Sequence, residues 1–240
     1  MFRFKFAIAI IIIIIAVGLL LAGCDTQPLD PLNPQAGTEY FPLEKGRFVS
    51  YNVKQTNYRL NQPPEVITFQ LKEVISELYI TPAGEPAWRV VRYRRADGRQ
   101  NWEIISVWTA RKTATFAMRT EENIPYLRLV FPVRVGKTWN GNQYNTLSRE
   151  NYRITDIGRR YLIDGRPYNE TLSVLQRNDS TLVGKNRRME VYAPNIGLIY
   201  RIDEQVAYCQ DRAQNCIGKA IIESGTIVEQ RIFDSGIERD

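Results

Sequence analysis

From Tyr40 onward, apolar and polar residues alternate with a period of two in run after run. Ile67, Phe69 and Leu71 alternate with Thr68, Gln70 and Lys72, while Trp102, Ile104 and Trp108 share one parity and Glu103, Ile105 and Val107 the other. Successive side chains of an extended chain point to opposite faces, so the pattern reads as half-buried strands. Turn residues separate the runs at Asn61-Gln62-Pro63-Pro64, Pro82-Ala83-Gly84, Asp97-Gly98, Asp164-Gly165 and Asn195-Ile196-Gly197. Asp-Gly suits a tight hairpin because both central positions of a type I′ turn need positive φ. The pattern predicts about a dozen strands, near 47–58, 65–80, 87–95, 101–109, 112–120, 126–131, 150–163, 168–177, 186–193, 198–202, 205–210 and 217–233. No segment after the leading apolar run shows a long helical period. The expected fold is all-β, with antiparallel sheets forming an open barrel or a sandwich.

An internal echo refines this picture. Phe41-Pro42-Leu43-Glu44-Lys45-Gly46-Arg47-Phe48-Val49 recurs as Phe131-Pro132-Val133-Arg134-Val135-Gly136-Lys137-Thr138-Trp139. Phe-Pro ends a strand and the glycine permits the bend into the next. If the echo reflects duplication, residues 40–130 and 131–236 form two similar β-meander halves.

The first residues follow another pattern. Arg3 and Lys5 precede an unbroken apolar stretch from Phe6 to Leu21, closed by Leu21-Ala22-Gly23-Cys24. A basic start, an apolar centre and small residues before a cleavage point form an export signal. With Cys24 at the boundary, the segment resembles the bacterial lipoprotein signal, which implies removal of residues 1–23 and lipidation of Cys24. A transmembrane anchor is the alternative, since the uncharged run could cross a core of ~30 Å; the cysteine directly after Leu-Ala-Gly favours cleavage. Acyl chains contribute about 0.8 kcal/mol per buried methylene, so the expected partner is membrane lipid, held through acylated Cys24. Residues 24–39 carry Pro28, Pro31 and Pro34 and no lysine or arginine. Prolines at that spacing suit an extended polyproline II tether, with a PxxP ligand as the other reading. The globular domain then covers residues 40–240.

Losing Arg3 and Lys5 takes the formal charge from +6 to +4. A mild, scattered excess in an exported protein does not indicate nucleic acid. Arg94-Arg95, Arg159-Arg160 and Arg187-Arg188 could meet headgroups or anionic glycans, although solvated strand ends are the commoner role of such pairs. Cys209 and Cys216, separated by six residues in a polar stretch of an exported chain, predict a disulfide.

The chain contains no histidine, which removes the Ser-His-Asp and Cys-His nucleophile systems and histidine-based metal centres. Carboxylate pairs remain, namely Glu121-Glu122 and Asp203-Glu204, but neighbours on a strand diverge, and solvated turn or strand-end residues are the expectation. Asp203, Glu204 and Asp211 lack the spacing of a calcium loop. No metal, cofactor or catalytic residue is expected. Trp88, Trp102, Trp108 and Trp139 are expected in the core, while some of the thirteen tyrosines must reach the surface.

Val191-Tyr192-Ala193-Pro194-Asn195-Ile196-Gly197-Leu198-Ile199-Tyr200, the Phe-Pro-x-x-x-Gly entry and the lipid cysteine together resemble uncharacterised β-rich envelope lipoproteins of diderm bacteria. The resemblance implies a cell-envelope location and transfers no functional residues. The expected function is therefore non-enzymatic binding or assembly, with an envelope protein as the possible partner. The alternatives are a lipid or lipoprotein carrier with an apolar cavity, and a glycan-acting enzyme needing two carboxylates roughly 5 to 9.5 Å apart. Asp25 after the cysteine resembles an inner-membrane retention signal of some enterobacterial lipoproteins, whereas the body resembles lipoproteins of other diderms, for which the outer membrane is the expectation.

Overall fold

The structure, a computed structural model, describes residues 36–238 except 212 and 214. The signal, Cys24 and most of the tether lie outside the described residues. A single 3-10 turn, Thr38–Tyr40, leads into twelve strands: β1 (Arg47–Tyr58), β2 (Glu65–Ile80), β3 (Pro86–Arg95), β4 (Glu103–Lys112), β5 (Phe116–Glu121), β6 (Ile124–Val130), β7 (Thr138–Asn140), β8 (Asn151–Ile163), β9 (Arg166–Ser180), β10 (Gly184–Ala193), β11 (Gly197–Tyr208) and β12 (Ile222–Ile237). Every pairing is antiparallel, consecutive strands are neighbours, and β12 returns to pair with β1. The two end strands also meet. The Leu127 N–H donates to the Gly141 carbonyl at 2.8 Å, and the Trp139 indole N–H donates to the Leu127 carbonyl at 2.8 Å. One sheet has curled into a nearly closed barrel, so the sandwich alternative falls away. A twisted meander of this width covers its inner face by closing on itself.

Apart from shifts of one to four residues at the ends of several strands, the strand readings differ from the structure in three places. The segments expected at 198–202 and 205–210 are one strand, β11; the last strand runs to Ile237 and begins at Ile222; and the three-residue β7 was not expected. The parity reading of β4 also fails. Arg92 pairs with Ser106 but Tyr93 pairs with Ile104, leaving Ile105 as a bulge that slips the alternation by one. Ile104 is consequently 65% exposed although it counts in register with buried Trp108.

The glycine turns of the two Phe-Pro-x-x-x-Gly entries share one geometry, although the Phe131-Pro132 peptide is cis and Phe41-Pro42 is not. The Gly46 N–H donates to the Ile75 carbonyl and the Gly136 N–H to the Ile154 carbonyl, each at 2.8 Å. The next residue closes a turn in each copy, Arg47 onto Glu44 and Lys137 onto Arg134, both at 3.1 Å. Phe41 and Phe131 are buried in the same apolar cluster, which also holds Trp108, Trp139, Tyr152 and Leu172.

A second cluster gathers Tyr51, Val191, Ile199, Tyr200 and Ile232 with Ile163 and Tyr168. The last two come from the end of the β8–β9 hairpin, which bears three register shifts and folds back over β10–β12. There Tyr161 packs against Tyr200 at 5.5 Å between ring centroids, and Asp164 pairs with Arg231 at 3.0 Å.

Candidate functional site

The barrel interior carries an unusual load of charge. Antiparallel register sets Glu73 on β2 opposite Arg92 on β3, and Glu190 on β10 opposite Arg201 on β11. Arg119 and Glu121, two apart on β5, share a face. Arg128 joins them because of a bulge: Ala117 pairs with Leu129 and Met118 with Leu127, so Arg128 is the extra residue between two buried leucines.

These side chains form a continuous series of ion pairs. Glu73 is held by Arg92 at 3.1 Å and by Arg119; Glu121 is held by Arg128, with Arg119 at 3.8 Å and Arg201 at 3.9 Å. Arg128 then reaches Glu190 at 3.2 Å, and Glu190 accepts the Tyr192 hydroxyl. Trp108 underlies the first part, with the Arg92 guanidinium 3.5 Å and that of Arg119 4.9 Å from a ring centroid. Cation–π stacking on a desolvated ring adds to the hold on both arginines.

Burial alone would push the Glu121 carboxyl up, but Arg128, Arg201 and Arg119 outweigh it and hold the group at about 2. Glu73 follows the same balance, with burial opposed by Arg119 and Arg92 and a net shift downward. Burial raises the Tyr51 and Tyr192 hydroxyls well above the ordinary phenol value. Glu73 and Glu121 are thus ionised, and Tyr51 and Tyr192 neutral, at physiological pH.

A cleft opens onto this series at the end of the barrel where the chain enters. Phe41, Pro42, Leu43 and Ile196 form its mouth, Val49, Ile75, Val90 and Leu198 its walls, and Glu73 and Arg119 its floor; Arg47 lines it as well. Its cavity is about 70 Å³, within a cleft whose empty space, open mouth included, is about 510 Å³. Tyr51 frames the floor and spends its hydroxyl on the Leu198 carbonyl at 3.0 Å. The Arg119 Nε is buried and has no hydrogen-bond acceptor.

The residues singled out in the sequence are scattered. Glu121, expected to be solvated, is buried among arginines, because β5 turns that face inward; Glu122 is exposed at the hairpin and accepts the Trp108 indole N–H at 3.0 Å. Asp203 and Glu204 stay apart from the cleft, with Glu204 paired to Lys185 at 2.8 Å, and Asp211 caps the Ala213 N–H. Trp108 and Trp139 are core residues as expected, but Trp88 and Trp102 are only half-buried, and Arg95 stacks on Trp102 at 4.2 Å. Tyr144 is exposed. Arg94 lies over Phe69 at 4.1 Å, Arg159 pairs with Asp156 at 2.8 Å and Arg188 with Glu150, so the arginine pairs are engaged separately. Cys209 and Cys216 are disulfide-bonded, with Cα atoms 5.8 Å apart. Among the described residues no group of three or more His, Cys, Asp or Glu side chains could hold a metal ion.

No family model matches the chain, and no curated protein matches it. Two solved structures do. One, from Bacteroides fragilis, is described as an exported protein with a YmcC-like fold; it is 14% identical, with a TM-score of 0.42 over 81% of this chain and 99% of its own. The other, from Parabacteroides distasonis, is described as a lipoprotein; it is 10% identical, with a TM-score of 0.40 over 82% of this chain and 98% of its own.

The sequence reading missed Glu73, Arg92, Arg119, Arg128, Glu190 and Arg201. A signal for several was present: Leu71-x-Glu73, Val90-x-Arg92, Arg119-x-Glu121 and Glu190-x-Tyr192 each place a charge two residues from another inward group. Period-two reading marks such a charge as inward-facing, but naming its partner requires the closure of the barrel.

Proposed function

We propose that this chain is a lipid-anchored cell-envelope protein with a non-enzymatic binding role, whose ligand site is the cleft at the chain-entry end of the barrel. The anchor rests on the sequence, with the apolar run ending in Leu21-Ala22-Gly23-Cys24. One observation carries the binding role: an apolar-walled cleft ends on interior charges that are already paired and ionised. A general acid or base needs a carboxyl titrating near the working pH. Glu73 and Glu121, held down by arginines, favour a fixed electrostatic floor over proton transfer. The carrier reading is weaker, because a cavity of about 70 Å³ holds only a few water-sized groups and ion pairs continue beneath it.

The test has two parts. Radiolabelled palmitate should enter the full-length protein and not a Cys24→Ala variant, and protein purified from envelope membranes should co-purify with a small molecule or an envelope protein identifiable by mass spectrometry. Unlabelled protein, or wild-type protein carrying neither, would overturn the proposal.

A further inference from the structure

The geometry points to a ligand class for the cleft: a small monoanionic amphiphile, with a short apolar body and a terminal carboxylate or similar anion. This rests on the binding role proposed above and assigns its chemistry. The interior series contains four guanidinium groups, Arg92, Arg119, Arg128 and Arg201, against three carboxylates, Glu73, Glu121 and Glu190. It therefore carries one positive charge in excess. A desolvated charge without its counter-charge is costly, and an anion delivered from outside relieves that cost.

The cleft lining is itself cationic, with Arg47 and Arg119 against the single carboxylate of Glu73. Arg119 lines the floor, donates through Nη2 to Glu73, and has a buried Nε–H without an acceptor; Glu121 stands 3.8 Å from that nitrogen. Arg47 donates to the Asn195 carbonyl and pairs with Glu44, but its buried Nε–H likewise lacks an acceptor; the remaining polar groups around the floor are occupied. Tyr51 is bonded to Leu198, Tyr192 to Glu190, and Arg92 to Glu73 and Ser106. An entering ligand thus meets two open donors on cations, the Nε–H groups of Arg47 and Arg119, along an otherwise apolar channel. A cation would face Arg119, and a neutral ligand would leave the excess charge uncompensated. The apolar mouth of Phe41, Leu43 and Ile196 selects for a hydrocarbon body, and the small cavity excludes a long acyl chain.

The experiment uses the full-length lipidated protein in nanodiscs, titrated calorimetrically with butanoate and hexanoate against empty nanodiscs, with hexylamine and hexanol as charge controls. The expected result is saturable binding of one carboxylate per chain, no saturable binding of amine or alcohol, and at least tenfold weaker carboxylate binding in Ile196→Trp, which fills the mouth. Arg119→Gln should lose binding as well. If Arg119→Gln does not fold, Ile196→Trp decides alone, since residue 196 lies on the β10–β11 turn. Absence of saturable carboxylate binding, equal binding of hexylamine, or carboxylate affinity unchanged in Ile196→Trp would overturn the assignment. A protein that fails here but still co-purifies with another molecule would sink only the ligand class.

Discussion

Arg128 on β6 and Glu190 on β10 meet at 3.2 Å in the interior, 62 residues apart in sequence, and join the first six strands to the last six. Both are almost wholly buried. Removing one partner of such a pair strands the other charge, which typically costs about 3–5 kcal/mol. Arg128→Met should therefore destabilise the barrel by about that amount, measured by urea unfolding. A loss under about 1 kcal/mol would mean that water reaches the pair.

The interior carboxylates set the acid limit of stability. In the folded protein burial pushes Glu121 up and Arg128, Arg201 and Arg119 pull it further down, from 4.5 to about 2, so folded protein binds its proton less readily than unfolded chain. The contribution of Glu121 is complete above the unfolded value and is lost as pH falls from 4.5 toward 2. Thermal midpoints should be flat above about pH 5 and drop through that window, with a shallower drop in Glu121→Gln. Equal slopes in the two proteins would contradict this assignment.

Tyr152 gives the opposite limb. Its ring is fully buried and stacks edge-on with Trp139 at 5.9 Å, but its hydroxyl has no hydrogen-bond partner, and burial pushes the phenol up to about 12. A buried unsatisfied hydroxyl costs about 1–3 kcal/mol, so Tyr152→Phe should leave stability unchanged or raise it by roughly 1 kcal/mol. The wild-type phenol, ionising more easily when unfolded, should lose stability as pH rises from 10 through 12, and the phenylalanine variant should lose less. Clear destabilisation of Tyr152→Phe at neutral pH would show that the hydroxyl is satisfied.

The two entry glycines provide an internal comparison. Gly46 and Gly136 have φ of +79° and +84°, a region costing L-residues roughly 1–2 kcal/mol. A Cβ on Gly46 would also lie 2.5 Å from the Glu238 carbonyl oxygen, whereas one on Gly136 meets nothing within 4 Å. Gly136→Ala should cost about the backbone strain alone, and Gly46→Ala distinctly more, in parallel denaturant titrations. Equal losses would mean that the C-terminal end of β12 yields without cost.

The sequence alone determined what depends on neighbouring residues. Period-two alternation and Asp-Gly punctuation placed most strands and excluded long helices after the leading run, and a cysteine pair with short spacing in an exported chain predicted the bridge that Cys209 and Cys216 form. The Phe-Pro-x-x-x-Gly echo marked two turns with the same hydrogen bonds. Tertiary structure decided what depends on distant strands. Curling brought β6 to β7, the bulge at Ile105 reversed the local reading of which side chains face inward, the bulge at Arg128 set that arginine among the interior charges, and closure carried Glu121 from an expected solvated turn into a cluster of arginines. Alternation states only that a side chain takes one of two faces. Whether that face is wet, apolar or lined with counter-charges is set by the strands opposite it, and their positions follow from accumulated twist and bulges over the whole sheet.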